Sequence, residues 1–197
     1  GNVSTPASAT TQERIGGLVG YVDPTYPVIG RFSINESSAH GNITFGNASR
    51  PASLGGGLIG EVYIASTADA VTVTNSYSNG RISGASADYF GGLVGKVGSN
   101  SSTSNDVSFN RVYSTSPVPL GTHVGGLFGS WGGFSLQGFW NPTAASPTTV
   151  SAAGTESTEA LMKVIETYAA QGWGIMDGWV SPSNVSWGIC PFVNDGY

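Results

Sequence analysis

Apolar and polar residues alternate in short runs along most of this chain, with Gly, Asn, Ser and Pro between the runs. Val71-Thr72-Val73-Thr74 and Val107-Ser108-Phe109 are clear examples. Alternation places every second side chain on one face of an extended backbone, and the intervening residue types favour turns, so the pattern predicts short strands joined by turns. One phrase punctuates it four times: Gly16-Gly17-Leu18-Val19-Gly20, Gly56-Gly57-Leu58-Ile59-Gly60, Gly91-Gly92-Leu93-Val94-Gly95 and Gly125-Gly126-Leu127-Phe128-Gly129, with starts 40, 35 and 34 residues apart. A phrase recurring at about 20–50 residues marks a stacked-repeat architecture. Each copy holds two large apolar side chains between glycines, which suits a strand entering a narrow core where backbones approach closely.

A second element recurs between the copies. Thr74-Asn75-Ser76-Tyr77-Ser78-Asn79-Gly80-Arg81-Ile82-Ser83-Gly84 is its fullest form, and Ile34-Asn35-Glu36-Ser37-Ser38 with Gly41-Asn42-Ile43-Thr44-Phe45-Gly46 a looser one. Phe109-Asn110-Arg111-Val112-Tyr113-Ser114 is a third, and Leu136-Gln137-Gly138-Phe139-Trp140-Asn141 a truncated last. About three strands per repeat are expected over residues 14–141, each stacked on its counterpart in the next repeat. The Asn in these steps has a structural reading, bonding the turn and tolerating left-handed backbone, and a functional one as a ligand contact. Residues 1–13 carry almost no large apolar side chains and are expected to form a flexible or extended arm, which could also pair with a neighbouring subunit.

After Asn141 the pattern breaks. Residues 142–197 are read as a loop, a helix over about 157–171 and a C-terminal cap. Leu161, Val164, Ile165 and Tyr168 fall at i, i+3, i+4 and i+7 on one face. Thr155 or Ser157 could cap the helix start, Glu156 and Glu159 favour its positive end, and Gly172 stops it. The helix is expected to cover an open edge or end of the stack. Trp173, Trp179 and Trp187 read as packing in that cap more than as a sugar platform.

Composition narrows the function classes. Only 10% of residues are charged, against about 25% in ordinary soluble domains, so hydroxyls, amides or attached sugar must supply solubility. The net charge is −5, and the seven Lys and Arg are scattered; no basic stripe can form, which argues against nucleic acid. No apolar run approaches the ~18 residues of a membrane span. Cys190 is alone, so no internal disulfide forms, and the thiol is either buried or available to a bond between chains. The absence of an initiator Met and of a signal peptide suggests a mature or excerpted segment.

The four glycine phrases and the Asn-Ser-Tyr-Ser-x-Gly-x-Ile-x-Gly pattern at 75–84 resemble the GLUG repeat family. The end of the chain is similar as well: Phe-Trp-Asn at 139–141, a Thr/Glu-rich helix, Trp-Gly-Ile at 187–189 and Asn-Asp-Gly-Tyr at 194–197. The resemblance covers about residues 14–197. It implies a β-solenoid, mainly β, of about four repeats with a C-terminal helix and Trp-rich cap, in a secreted or surface-exposed adhesin-like protein. It supplies no catalytic residues.

The residues themselves offer little chemistry. His40 and His123 are the two histidines, and neither has a partner fixed by spacing. There is no Cys/His ligand cluster and no calcium loop, so no metal or cofactor is expected. The Gly-Gly-x-x-Gly phrase lacks the Lys and helix of a nucleotide loop. Six acceptor sequons do stand out, at Asn2, Asn35, Asn42, Asn47, Asn100 and Asn184. The expectation is a non-enzymatic extracellular module, a glycosylated rod or filament subunit that self-associates head to tail or adjoins other domains of a larger surface protein. A carbohydrate-binding adhesion module using Tyr77, Tyr113, Trp131 and Trp140 is the alternative, and a polysaccharide-cleaving β-helix enzyme a remote one.

Overall fold

The computed structural model describes residues 1–5, 12–24, 30–46, 53–84, 89–99, 106–120, 122–142, 151–177 and 187–189. A short strand β1 (Val3–Ser4) precedes the first repeat, which contributes β2 (Arg14–Gly16), β3 (Val19–Val22), β4 (Arg31–Asn35), β5 (Ser38–Ala39) and β6 (Ile43–Phe45). The second repeat gives β7 (Leu54–Gly56), β8 (Ile59–Ile64), β9 (Ala70–Ser78) and β10 (Ile82–Gly84). The third gives β11 (Tyr89–Gly91), β12 (Val94–Ser99) and β13 (Asp106–Ser114); the fourth gives β14 (His123–Gly125), β15 (Phe128–Ser130) and β16 (Ser135–Trp140). The first repeat thus carries two strands beyond the three expected, and the second carries one.

The protein is mainly β, built from parallel sheets in which equivalent strands of successive repeats lie side by side. Three sheets run β14-β11-β7-β2, β15-β12-β8-β3 and β16-β13-β9-β4, the last with β5 also on β9; a fourth runs β1-β6-β10. The phrase sets the register: Gly16, Gly56, Gly91 and Gly125 are direct partners, as are Val19, Ile59, Val94 and Phe128. Each repeat is therefore one tier of a stack.

The apolar residues of the phrase fill the space between sheets. Leu58, Leu93 and Leu127 are fully buried, together with Ile59, Val94 and Phe128. At about 25 cal/mol per Å² of apolar surface, each such side chain contributes about 1.5–3 kcal/mol. The second glycine of the phrase leaves room for the tier behind it. A Cβ on Gly57 would press the backbone oxygen of Gly92 and stand 2.7 Å from Cβ of Ser78. Across the core from these glycines stand Ala39, Ser78 and Ser114, which share one register column and point inward; Trp140 takes that column in the fourth tier.

The long strand of each of the first three tiers bends at one residue. Glu36, Asn75 and Arg111 have φ of 50°, 49° and 55° and lie just after the partnered trio Asn35, Thr74 and Asn110. Asn75 fits the structural reading, since Asn tolerates this conformation, and its Nδ2 donates to Asn35 Oδ1 at 3.2 Å. Asn35 and Asn110, however, lie within strands one place earlier, and Glu36 and Arg111 take the bend. The fourth tier has no bend residue: β16 shifts register against β13 between Asn110 and Val112.

At the N-terminus, β1 pairs with β6 of its own chain, Val3 opposite Ile43. The Thr5 hydroxyl donates to Glu13 Oε2 at 3.0 Å and accepts the Gly46 N–H at 3.1 Å. The first five residues are thus an extended, tied-down part of the stack rather than a free arm; residues 6–11 lie outside the described residues.

The C-terminal part departs further from expectation. Thr155–Glu156 form strand β17, which extends the long-strand sheet beyond β16. The expected single helix is two short ones, α1 (Glu159–Met162) and α2 (Ile165–Ala169). Thr158, not Thr155 or Ser157, caps α1 by accepting the Leu161 N–H. Between the two, Val164 is extended at φ −116°, ψ 124°. The Met162 carbonyl, which a continuous helix would offer to residue 166, instead accepts the Tyr168 hydroxyl at 2.6 Å. Leu161 and Val164 consequently face solvent, while Met162 and Tyr168 are buried with Trp173. Gly172 ends the segment at φ +74°, as expected. Beyond it, β18 (Ile175–Asp177) pairs with β19 (Trp187–Ile189).

Candidate functional site

Two rows of side chains cross the tiers, and the predicted residues divide between them and the core. The first row lies on the outer side of the long-strand sheet, where Tyr77, Tyr113 and Phe139 are register partners. Tyr77 and Tyr113 stack at 4.7 Å, 6° from parallel. His40 closes one end, its ring edge-on to Tyr77 and Nε2 3.2 Å from the Tyr77 hydroxyl and 3.0 Å from Ser38 Oγ. Phe139 closes the other against Tyr168 and Trp173 at 5.3 and 5.5 Å. This second core, outside the sheets, is what α1 and α2 cover; the edge of the last tier is covered by residues 151–157.

Placement corrects the sugar-binding set. Tyr113 is 2% exposed and Trp140 4%, so neither ring offers a face to a saccharide. Tyr77 is half-buried, with one face on Tyr113. Trp131 packs on the main core, 4.4 Å from Phe128 and 5.8 Å from Phe134. Aromatic surface that stacks on itself is unavailable as a platform.

The second row was not anticipated. The residue following each phrase, Tyr21, Glu61, Lys96 and Ser130, forms one column, and aligning the phrase copies would have shown it. Glu61 is the centre, with a side chain 5% exposed, bonded through Oε2 to Arg14 Nε and through Oε1 to Lys96 Nζ at 3.5 Å. The Arg14 guanidinium lies 4.4 Å over the Tyr21 ring, and Lys96 Nζ 5.3 Å from that of Tyr89. Tyr89 in turn stacks on His123 at 4.4 Å. The Tyr21 hydroxyl donates to Asp23 Oδ2 at 3.3 Å. Burial, then the nearby Asp23 and Glu61 carboxylates, push its pKa above the ordinary value of 10.0. A buried carboxylate between two cations is neutralised and positioned, and cations over rings gain quadrupole attraction. The row links tiers and presents no nucleophile beside a base.

Among the described residues there is no group of three or more His, Cys, Asp or Glu that could hold a metal ion, and no helix is long and apolar enough to cross a membrane. A crevice of about 260 Å³ lies where β16 and β17 meet the end of α2, lined by Gln137, Phe139, Gly154, Thr155 and Gln171 among others. Gln137 Nε2 spans it to the Gln171 carbonyl.

The described sequons sit on exposed residues and share a ladder role. Asn2 Oδ1 accepts the Asn42 N–H, and Asn42 Oδ1 the Arg81 N–H, both at 2.9 Å. Asn35 Oδ1 accepts the Thr74 hydroxyl at 2.6 Å. Asn47, Asn100 and Asn184 lie outside the described residues, as do Trp179 and Cys190. No family model, curated protein or solved structure matches the chain.

Proposed function

We propose that this chain is a non-enzymatic structural module, a β-solenoid rod of an extracellular or cell-surface protein of the kind the glycine phrase resembles. The observation that carries the reading is the column Gly16, Gly56, Gly91 and Gly125, in register across one parallel sheet over an apolar core. Polar and aromatic side chains that cross the tiers are spent on tier-to-tier contacts: Asn on the next backbone, Tyr on Tyr, Glu61 between Arg14 and Lys96. Such a stack gains stability additively from neighbour interfaces and forms a stiff, elongated element. Asn2, Asn35 and Asn42, exposed along its flank, are the acceptors for N-linked sugar, which would offset the low charge.

The test combines intact mass with small-angle scattering on protein purified from its native source. An elongated particle carrying hexose-sized mass increments that map to these Asn residues is the expected result. A compact particle at the bare chain mass of 20.1 kDa would overturn the glycosylated rod.

A further inference from the structure

Along the row of glycine phrases, the two ends of the stack differ in polarity. The Leu58 carbonyl accepts from the N–H groups of Leu18 and Val19, Leu93 from those of Leu58 and Ile59, and Leu127 from those of Leu93 and Val94, all at 2.9–3.1 Å. Every bond of the row runs from an N–H of one tier to a carbonyl of the next. The first tier therefore turns the Leu18 carbonyl away from the stack, and the fourth turns away the N–H groups of Leu127 and Phe128.

The chain treats these ends differently. At the fourth tier, Ser151 Oγ accepts both N–H groups, at 3.2 and 3.0 Å. Ala152 N–H donates to the Phe128 carbonyl and Ser157 N–H to that of Trp140, at 3.1 and 2.9 Å. Residues 151–157 thus form a strap over the last edge. At the first tier, Leu18 is 51% exposed although its three counterparts are at 0%, and Tyr21 is 41% exposed.

The two ends are also complementary in outline. The first tier leaves β2, β3 and β4 at the ends of their sheets, whereas the position beyond β6 is already filled by β1. Beneath the strap, the fourth tier brings the three matching strands, β14, β15 and β16, and among the described residues adds no strand to the sheet that β1 ends. Trp140 would arrive over Ala39, which is smaller than the Ser114 it neighbours within its own chain.

We propose that the N-terminal face receives the fourth tier of a second copy, and that residues 151–157 are the strap that must lift before it can. Without the strap, the Leu127 and Phe128 N–H groups meet the outward carbonyl of Leu18, so stacking continues across the junction in the same register. With it closed, the N–H row is occupied. Two N-terminal faces cannot pair in this way, because each offers a carbonyl to the other, so association is head to tail and open-ended. The proposal rests on the rod reading above.

The test uses full-length chains with one end disabled in each. A152P/S157P removes two of the strap's N–H donors, one on each side of β17, and Leu18→Asp places a charge on the receiving face. The triple variant has an open C-terminal tier and a blocked face; the unaltered chain has an open face and a closed strap. Mixed in an analytical ultracentrifuge, they are expected to form a species of doubled mass, and substituting Leu18→Asp for the unaltered chain is expected to abolish it. No complex between folded partners, or one that survives Leu18→Asp, overturns the proposal. Near-ultraviolet circular dichroism verifies the fold; if the proline variant loses it, Ser151→Ala with Leu18→Asp, which removes only the shared acceptor, takes its place with the same outcomes. A folded, elongated monomer that forms no complex would overturn the docking and leave the rod reading intact.

Discussion

Tyr77 and Tyr113, 36 residues apart in sequence, lie face to face with ring centres 4.7 Å apart and planes 6° from parallel. Their partnership follows from the β9–β13 register, and it ties the second core to the flank of the stack. Truncating the buried member removes a ring from between two neighbours. Tyr113→Ala should cost about 3–5 kcal/mol, as for other buried aromatics, and Tyr77→Ala clearly less because its ring is half-exposed. Urea denaturation with an unchanged slope between variants checks this.

The phrase leucines give a sharper contrast. Leu58→Ala should cost about 2–5 kcal/mol, since a tier on each side prevents collapse of the cavity. Leu18→Ala, at a site 51% exposed, should cost about 1 kcal/mol or less. Equal losses in thermal melts would show that the first tier is covered in solution.

The bend column makes a prediction about backbone. Arg111 holds φ 55° with a full side chain, a conformation costing about 1–2 kcal/mol in non-glycine residues. Arg111→Gly should be neutral to stabilising by up to about 1 kcal/mol, while Asn75→Gly should not stabilise, because Asn tolerates the bend and loses its bond to Asn35. Differential scanning calorimetry of the pair separates the two.

Tyr21 supplies the pH dependence. Its folded pKa lies above 10.0, so its contribution to stability is fully present below pH 10 and is lost as pH rises through the folded value, because the unfolded chain releases its proton first. In an ultraviolet titration Tyr21 should ionise after an unperturbed tyrosine. Asp23→Asn should bring it closer to 10, and an unchanged midpoint would mean that burial and Glu61 set the shift without Asp23.

What could be read in the sequence was whatever is repeated. The phrase fixed the tier boundaries because its glycines and apolar pair answer to the same neighbours four times, and Gly16 to Gly125 fall into one column. The second row stayed hidden because Tyr21, Glu61 and Lys96 share a position but not a chemistry, and similarity is what the eye aligns. The Asn motif was misaligned by one place for a related reason: the bend selects a conformation, and Glu36 and Arg111 adopt it without resembling Asn75. The helix failed on a single competition, the Tyr168 hydroxyl taking the Met162 carbonyl, which no periodicity of apolar residues encodes. Tyr113 and Trp140 looked like surface aromatics because the outer core that buries Tyr113 is assembled from residues up to 60 positions away, Trp173 among them.

The unequal repeat lengths have a use. Between the second and third strands of successive tiers the connectors span 23–30, 65–69, 100–105 and 131–134, which is eight, five, six and four residues by subtraction, yet the strands they join stay in register apart from the one shift between β13 and β16. Length variation is absorbed mostly between strands. The stack is therefore a ruler whose graduations are about 4.8 Å apart, and peptide epitopes grafted into neighbouring connectors would be displayed at that pitch, in chain order, with their number set by the number of tiers.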